Sequence, residues 1–289
     1  MDFLQDILKY FPLEIQNFII ITIKNQALIK EQLEEIRLRA NRPIILKFRN
    51  YDVILNYETY TEDILKILER MCENSIYAYK NQICQGFLTI KGGHRIGITG
   101  TVVIEDNRII NIKYISSLNI RIAREVLNCS NKIINQIIDA ENQTIYNSML
   151  VSPPGKGKTT MLRDAVRQIS NGVASLNFSG VTVGLVDERG EIAACYKGIP
   201  QNDIGVRTDV MGNVNKSKAI EMLIRSMAPK VIACDEIGSI EDANAIKRAM
   251  YSGVKGIFTM HGNSMEEIKY NEPIYSLIEN KQIEKVIFI

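Results

Sequence analysis

The feature that most constrains the fold of this chain is a glycine-bearing loop at residues 152–157, between a short apolar run and a helix-forming segment. This order predicts a strand, a loop and a helix. Such a loop turns its backbone N–H groups toward a phosphate, and the helix adds the positive end of its dipole. Lys158 is placed to reach β- and γ-phosphates, and the Thr159 hydroxyl to ligate Mg²⁺. A structural turn is the alternative, but the setting favours a nucleotide site.

The loop departs from the pattern G-x-x-x-x-G-K-[ST] at its first position, where Ser152 replaces glycine. The residues that follow still predict a tight turn, so the substitution is compatible with phosphate binding. The predicted nucleotide-binding residues are Ser152, Pro153, Pro154, Gly155, Lys156, Gly157, Lys158, Thr159 and Thr160.

Length and composition indicate a globular protein of two domains, because 289 residues can close two cores and 46% of them are apolar. The 35 basic and 33 acidic residues nearly cancel, which argues against nucleic acid as a partner. The five cysteines form no C-x-x-C pair, as expected for reduced thiols in a cytoplasmic protein. The apolar run 18–21 is too short to span a bilayer, and Asp2, Asp6 and Lys9 argue against a signal peptide.

The first half of the chain predicts a smaller α+β domain, residues 1–128. Helical periodicity covers much of residues 1–35, including a second stretch at 26–35. Strands are predicted at 36–40 and 44–48, and Thr61 is the expected cap of a helix. Two more strands flank a Gly-Gly turn at 91–94, in which His94 is expected to be a turn residue.

The second half, residues 129–289, predicts an α/β domain with a mainly parallel sheet, because nearly continuous apolar strands alternate with helices. Three of these strands, at 181–186, 231–234 and 256–260, run directly into polar residues, as does the strand before the loop. Ligands of such sheets bind at the carboxyl ends of the strands. We therefore expect these polar residues to lie around one nucleotide.

Each polar strand end suggests a role. Asp235 is placed to hold Mg²⁺, usually through water, and Glu236 to position and activate the attacking water. Asp187 and Glu188 form a further acidic pair on an interposed strand, and a solvated acidic turn at residues 187–191 is the less favoured alternative. His261 could sense the γ-phosphate by donating a hydrogen bond.

Two arginines of the second half are candidate arginine fingers, which would stabilise transition-state charge in a neighbouring subunit. Arg225 lies at the end of a predicted helix, 216–227, and Arg207 lies in a polar segment that is too rich in turn formers to be a strand. Surface ion pairs are the alternative for both residues. In the first half, Arg121 and Arg124 bracket the end of a strand-like stretch and could simply be solvated.

Taken together, these motifs and their order resemble the stage III sporulation protein AA family, which belongs to the type II/type IV secretion ATPase superfamily. The segments that carry the resemblance are 86–100, 116–125, 152–164, 186–193, 199–203, 207–209, 224–227, 235–238 and 259–262. The resemblance implies a RecA-like P-loop ATPase core that binds ATP and Mg²⁺, a smaller N-terminal domain and a hexameric assembly. It equates 187–191 with an acidic "Asp box", Glu236 with the Walker B glutamate and His261 with a "His box". It also implies that Arg121 and Arg124 approach the nucleotide.

The role implied by this resemblance is ATP hydrolysis that powers a channel-like complex between mother cell and forespore. The ATPase would act on the cytoplasmic face of the mother cell, docked to membrane proteins and with no membrane segment of its own. Two other functions remain open from the sequence. One is a nucleic-acid-stimulated RecA-like ATPase, although the basic, aromatic-rich extension typical of such a motor is not seen. The other is a nucleotide-gated scaffold that does not hydrolyse.

Overall fold

The computed structural model describes residues 3–289 and contains two compact units. The first unit ends at Arg124 and the second covers residues 125–289, whereas the sequence predicts the boundary after residue 128. Residues 1 and 2, which the predicted N-terminal domain and helix include, lie outside the described residues. Each unit has its own hydrophobic core.

The first unit contains an antiparallel sheet with helices that pack on one of its faces. Its strands are β1 (Leu33–Arg39), β2 (Arg42–Phe48), β3 (Asp52–Thr59), β4 (Phe87–Thr89), β5 (Arg95–Glu105) and β6 (Arg108–Arg121). Its helices are α1 (Phe3–Leu8), α2 (Leu13–Asn25), α3 (Thr61–Met71) and α4 (Lys80–Cys84). Within the described residues, the order across the sheet is β3-β2-β1-β6-β5-β4.

Alternation along the strands determines which face of this sheet the helices cover. Ile36 and Leu38 of β1 are fully buried, whereas the intervening Arg37 is only partly buried. The buried residues share one core with the apolar faces of α1, α2 and α3. Because side chains of a strand point alternately to opposite faces, the polar residues of β1, β5 and β6 lie on the face away from these helices.

Two predictions for the first unit are wrong in detail. The stretch 26–35 is not an α-helix: α2 ends at Asn25, Ala27 adopts a left-handed φ of 47°, and only a 3₁₀ turn at Lys30–Gln32 precedes β1, which begins at Leu33. Residues from Leu33 onward form a strand instead of a helix because Leu33 pairs with Phe48 and is completely buried. Helix α3 does begin at Thr61, but its N-cap residue is Tyr60, whose backbone N–H donates a hydrogen bond of 3.0 Å to the Asp63 carboxylate.

The predicted hairpin between β4 and β5 is confirmed, with Phe87 paired to Gly97. His94 lies in its turn, as expected, but it is buried, and its Nδ1 accepts a hydrogen bond of 3.1 Å from the Ala123 backbone N–H. Burial lowers the pKa of His94 to about 4, with a smaller opposing contribution from Asp6. A neutral imidazole is therefore built into this turn at physiological pH.

The second unit contains a parallel sheet and confirms the predicted RecA-like α/β class. Its strands are β7 (Ile138–Asp139), β8 (Thr144–Ile145), β9 (Ser148–Ser152), β10 (Val183–Asp187), β11 (Thr208–Gly212), β12 (Val231–Cys234), β13 (Lys255–His261) and β14 (Lys285–Phe288). Its helices are α5 (Ile134–Ile137), α6 (Lys158–Asn171), α7 (Lys216–Met227), α8 (Ile240–Tyr251), α9 (Met265–Lys269) and α10 (Glu272–Glu279). The order across the main sheet is β11-β10-β12-β13-β9-β14, and all its pairs are parallel.

The central strands of this sheet are buried on both faces. Every residue of β9, β10 and β12 is buried, and neighbouring residues belong to different cores. Leu150 packs in the core that includes α6, whereas Met149 and Val151 pack in the core that includes α7 and α8. Two covering layers leave the carboxyl ends of the strands as the place where polar groups can gather.

Strand β11 was not expected, because its first two residues, Thr208 and Asp209, belong to the segment 198–209 that the sequence predicts to be irregular. Its five residues are only partly buried or exposed, as befits an edge strand, and parallel pairing of Thr208 with Val183 sets its register. Among residues 3–289, no helix is both long enough and apolar enough to span a bilayer.

Candidate functional site

The phosphate loop connects β9 to α6 and leaves the first N–H groups of that helix without a side-chain cap. Gly155 and Gly157 adopt left-handed φ values of 76° and 84°, and no heavy atom lies within 4 Å of a Cβ placed on either of them. Glycine is therefore required here by backbone conformation and not by crowding. A helix start with uncapped N–H groups behind an open loop is suited to bind phosphate oxygens.

Ser152 occupies a position that needs no glycine in this fold. It is the last residue of β9, it is buried, and its φ is not left-handed. Its carbonyl oxygen accepts hydrogen bonds from Lys158 Nζ at 2.8 Å and from the Gly262 backbone N–H at 3.3 Å. The departure from the usual loop pattern therefore leaves the geometry of the loop intact.

Lys158 is buried beneath the loop, and its ammonium group points to the end of β13. Its Nζ donates to the carbonyl oxygens of Ser152 and Pro153, at 2.8 and 3.1 Å, and lies 2.8 Å from His261 Nδ1. Burial lowers the pKa of Lys158, and the nearby charges of Asp235 and Glu236 act in the opposite direction. Phosphate oxygens could replace these acceptors without removing Lys158 from the carboxylates that stabilise its charge.

Oxygen ligands suitable for Mg²⁺ lie together just after β12 and at the start of α6. The Thr159 hydroxyl donates a hydrogen bond of 2.6 Å to Asp235 Oδ2, and the buried Thr259 hydroxyl donates to Asp235 Oδ1. Mg²⁺ prefers such hard oxygen donors and completes its shell with water and substrate phosphates. Thr159 and Asp235, the predicted pair, therefore fit a Mg²⁺ site.

Glu236 is held at the centre of the site in an uncommon backbone conformation, with a left-handed φ of 51°. The backbone is fixed by its N–H, which donates to Thr259 Oγ1 at 2.8 Å, and by its carbonyl, which accepts from Lys216 Nζ at 2.7 Å. Its side chain lies 3.0 Å from His261 Nε2 and 2.8 Å from Arg189 Nη1. A costly backbone conformation thus turns the Glu236 carboxylate toward His261 and the phosphate loop.

His261 links the loop lysine to this carboxylate. Since its Nδ1 faces Lys158, a donor, and its Nε2 faces Glu236, an acceptor, the consistent tautomer carries its proton on Nε2. His261 is thus placed as predicted, at the end of β13 and beside the phosphate loop.

Asp187 is used differently. Its carboxylate is 3% exposed and accepts three backbone hydrogen bonds, from the N–H groups of Glu191, Ile192 and Ala193 at 2.9, 3.1 and 2.9 Å. Arg163 of α6 donates to two carbonyl oxygens of the same turn. Asp187 therefore fixes the turn after β10, and the catalytic role predicted for it gains no support from these contacts.

Glu188 points into the same depression as Asp235 and Glu236. Its Oε2 lies 3.4 Å from Lys216 Nζ, and Lys216 also binds the Glu236 carbonyl. This lysine, at the start of α7, joins the turn after β10 to the turn after β12.

The two candidate arginine fingers do not lie in the site of their own chain. Arg207 precedes β11 at the amino edge of the sheet, where its Nη1 donates to the Ser170 carbonyl at 2.6 Å. Ser170 lies about 18 Å along α6 from the phosphate loop. Arg225 is exposed near the end of α7, about 14 Å along that helix from Lys216, and has no hydrogen bond or ion pair with residues 3–289.

Arg121 and Arg124 belong to the first unit. Arg121 is the exposed last residue of β6, and Arg124 Nη2 donates to the Leu33 carbonyl at 2.6 Å. Their approach to a nucleotide stays a prediction.

Sequence reasoning missed three residues that shape this site: Arg189, Lys216 and Thr259. Each of them contacts one of the predicted acids, and none belongs to a recognisable sequence motif around the phosphate loop. Thr259 alone left a usable signal, since pairing of Cys234 with Phe258 places it beside Asp235 once the strand register is known.

Comparison with known proteins identifies the family of this chain. A family model described as "Sporulation stage III, protein AA" matches residues 4–289. The chain belongs to this family. Stage III sporulation protein AA of Bacillus subtilis (strain 168) is 37% identical over 256 residues, which are 89% of this chain and 82% of that protein.

The fold is shared with two solved ATPases and a solved pilus retraction motor. The ATPase DotB of Yersinia pseudotuberculosis superimposes with a TM-score of 0.59 at 13% identity, over 96% of this chain and 74% of that one. The pilus retraction motor PilT with bound ADP gives 0.55 at 16% identity, over 91% of this chain and 73% of PilT. The ATPase DotB of Legionella pneumophila gives 0.54 at 12% identity, over 88% and 68%. At these identities, the likeness establishes the fold.

Proposed function

We propose that this protein is a Mg²⁺-dependent ATPase of the secretion-motor type. The observation that carries the proposal is one hydrogen-bonded network at the carboxyl edge of the parallel sheet. It contains Lys158, Thr159, Asp235, Glu236 and His261, and the Thr259 hydroxyl connects Asp235 to the Glu236 backbone. Three separate strands, β9, β12 and β13, supply the ends at which these groups meet. A turn with only a structural function would not need this convergence.

The chain's own residues suggest how hydrolysis would proceed. The N–H groups at the start of α6 and Lys158 hold the β- and γ-phosphates. Bound Mg²⁺, held by Thr159 and Asp235, would neutralise charge on the phosphate oxygens. Glu236 orients the attacking water and accepts its proton, and His261 keeps the Glu236 carboxylate aimed at the γ-phosphate side.

The active form is proposed to be a homo-oligomer, most simply a hexamer, in which each site is completed by another part of the assembly. Arg207 and Arg225 lie at the amino edge, so they could serve only the site of a neighbouring subunit. Arg121 and Arg124 are proposed to close over the nucleotide from the N-terminal domain, residues 1–128.

The biological role proposed is to drive assembly of, or transport through, a membrane channel complex of sporulation, from the cytoplasmic side. Family membership supports the link to sporulation, and similarity to the ATPases named above supports a motor. The protein would reach the membrane through partner proteins.

Nucleotide binding and phosphate release, measured separately at high protein concentration, test the proposal. Lys158→Ala is expected to abolish ATP binding, whereas Glu236→Ala and Glu188→Ala keep binding and lose turnover. Lys66→Ala is a matched control, since Lys66 is an exposed lysine on α3. ATP binding by the unaltered protein without any phosphate release would instead indicate a nucleotide-gated scaffold.

Mixed oligomers test the arginines. A variant with Lys158→Ala keeps its arginines, and a variant with Arg225→Ala or Arg207→Ala keeps its phosphate loop. If the arginines act in a neighbouring subunit, mixing two inactive variants restores hydrolysis at the shared interfaces. Activity that is absent from every mixture, while both proteins assemble by light scattering, would contradict the assignment.

A further inference from the structure

A second cavity, unrelated to the phosphate loop, lies in the first unit on the face of the sheet opposite to its helices. It has a volume of about 430 Å³ and is formed by the central strands β1, β5 and β6. This size is within the range of about 300–1,000 Å³ that is usual for small-molecule sites. The residues around it are Arg37, Leu38, Arg39, Gly86, Gly97, Ile98, Thr99, Ser117, Leu118 and Asn119.

Strand register explains how the cavity arises. Arg37 is opposite Asn119, which is in turn opposite Gly97, so that three strands form one row across the sheet. The next row is Arg39, Ser117 and Thr99. Gly97 has no side chain to fill its row, and a Cβ placed there would be 3.6 Å from Asn119 Cβ, an ordinary contact. Gly97 is not left-handed, so the backbone conformation does not require glycine at this position. Its missing side chain leaves open space in the cavity.

The charge around the cavity is positive. Arg37 Nε is bound to Glu35 at 2.6 Å, which leaves the outer nitrogens of its guanidinium for a ligand. The Arg39 side chain has no hydrogen bond or ion pair with residues 3–289. Glu35 is neutralised by Arg37 and by Lys47, whose Nζ is 4.0 Å away. The Arg39 guanidinium is thus uncompensated beside the opening.

Uncharged polar side chains also line the cavity. Asn119 Oδ1 is buried and has no hydrogen-bond partner. A buried acceptor without a partner is unfavourable unless a water or a ligand satisfies it. The hydroxyls of Thr99 and Ser117, in the row of Arg39, are further donors or acceptors.

We propose that this cavity binds a small hydroxylated organic phosphate, of the class of sugar phosphates and nucleoside monophosphates. Two guanidinium groups and two hydroxyls offer more donors than one carboxylate can accept, whereas a phosphate has three acceptor oxygens that suit arginine forks. Asn119 Oδ1 has no donor among residues 3–289, and a ligand hydroxyl that reaches it would satisfy it. The cavity belongs to the first unit and the phosphate loop to the second, and the cavity would bind its ligand whether or not the protein hydrolyses ATP.

Isothermal titration calorimetry tests this with the full chain carrying Lys158→Ala, which removes phosphate binding at the loop. The probes are AMP, ribose 5-phosphate, adenosine and succinate. AMP and ribose 5-phosphate are expected to bind at least tenfold more tightly than adenosine or succinate. Equal affinity for adenosine, tighter binding of succinate, or no binding of either phosphate at millimolar concentration would overturn the proposal.

Variants locate the binding. Arg39→Gln is expected to weaken the phosphates by about tenfold to a hundredfold, since a hydrogen bond to a charged group is lost. Gly97→Leu should fill the cavity and abolish binding, with retained folding checked by circular dichroism. Arg108→Gln removes the same charge at the exposed end of β6 and should change nothing. Unchanged affinity in Arg39→Gln, which does not depend on how Gly97→Leu folds, would show that the phosphates bind elsewhere.

Discussion

Two neighbouring strands of the parallel sheet, β10 and β12, each end in an acidic turn, yet the two turns use their carboxylates in opposite ways. Asp187, at the end of β10, is buried and bound by three backbone N–H groups. Glu236, just beyond β12, is partly exposed and bound by the side chains of Arg189 and His261. The Asp187 carboxylate fixes the backbone of its turn, whereas the Glu236 carboxylate is bound by side chains that can move.

This difference indicates which acid is available for chemistry. Backbone N–H groups of a buried turn cannot move without breaking it, whereas an exposed ion pair contributes only about 0–1 kcal/mol and exchanges readily. The Arg189 side chain is 62% exposed. Glu236 can therefore exchange Arg189 for a water molecule at little cost, while Asp187 cannot leave its partners. Position at a strand end is thus not enough to assign catalysis.

The largest expected effect comes from Glu236→Gln. Removing the proposed base should slow hydrolysis by about 10²–10⁴-fold, while the free energy of unfolding changes by less than about 1 kcal/mol because only an exposed pair is lost. Steady-state phosphate release and urea denaturation measure the two quantities. Glu221→Gln is the matched control, since Glu221 forms an exposed ion pair of 2.5 Å with Arg248 on α8. Hydrolysis that survives Glu236→Gln would remove the contrast between the turns.

Asp187→Ala should show the opposite pattern. Three backbone N–H groups lose their acceptor, so we expect a loss of about 3 kcal/mol in the free energy of unfolding. Asp187→Asn keeps one acceptor oxygen and should lose less. Urea denaturation gives both values. If Asp187→Ala is as stable as the unaltered protein but inactive, Asp187 acts in catalysis after all.

The sequence predicts the parallel sheet and the acids well, because buried strands and their polar ends are local patterns. Lys158, Thr159, Asp235 and His261 do meet where that pattern places them. The use of each acid is not local. The three donors of Asp187 lie four to six residues further on and depend on how the turn folds, and Thr259 reaches Asp235 only through strand register.

Two elements were predicted wrongly for a related reason. Strand β11 carries the polar residues Thr208 and Asp209, so composition suggests a loop, and only pairing with β10 makes it a strand. The stretch 26–35 has helical periodicity, but its last residues join β1 because Leu33 has a partner in β2. In both cases, contacts between segments overrule local preference.

A third, smaller effect concerns how the Glu236 turn is fixed. Thr259 is fully buried, and its hydroxyl accepts from the Glu236 N–H and donates to Asp235. Thr259→Val keeps the shape but removes both bonds, which should cost about 2 kcal/mol and also slow hydrolysis. Thr259→Ser loses a methyl group, about 1 kcal/mol, but should keep the rate. A slow Thr259→Ser variant would argue that packing, and not the hydroxyl, positions the acids.

The smallest effect separates the two turns by backbone conformation alone. Gly190, in the turn after β10, has a φ of 65°, and no atom lies within 4 Å of a Cβ placed on it. Gly190→Ala should therefore cost about 1 kcal/mol of unfolding free energy, entirely from backbone strain. Gly238, after β12, is not left-handed, and its Cβ would be 3.9 Å from Asn271 Nδ2, so Gly238→Ala should change stability by less than about 0.5 kcal/mol. Urea denaturation of both variants measures the difference. Equal losses of unfolding free energy in the two variants would mean that the backbone of the turn after β10 adapts to alanine without strain. Backbone rigidity would then not be what distinguishes the Asp187 turn from the Glu236 turn.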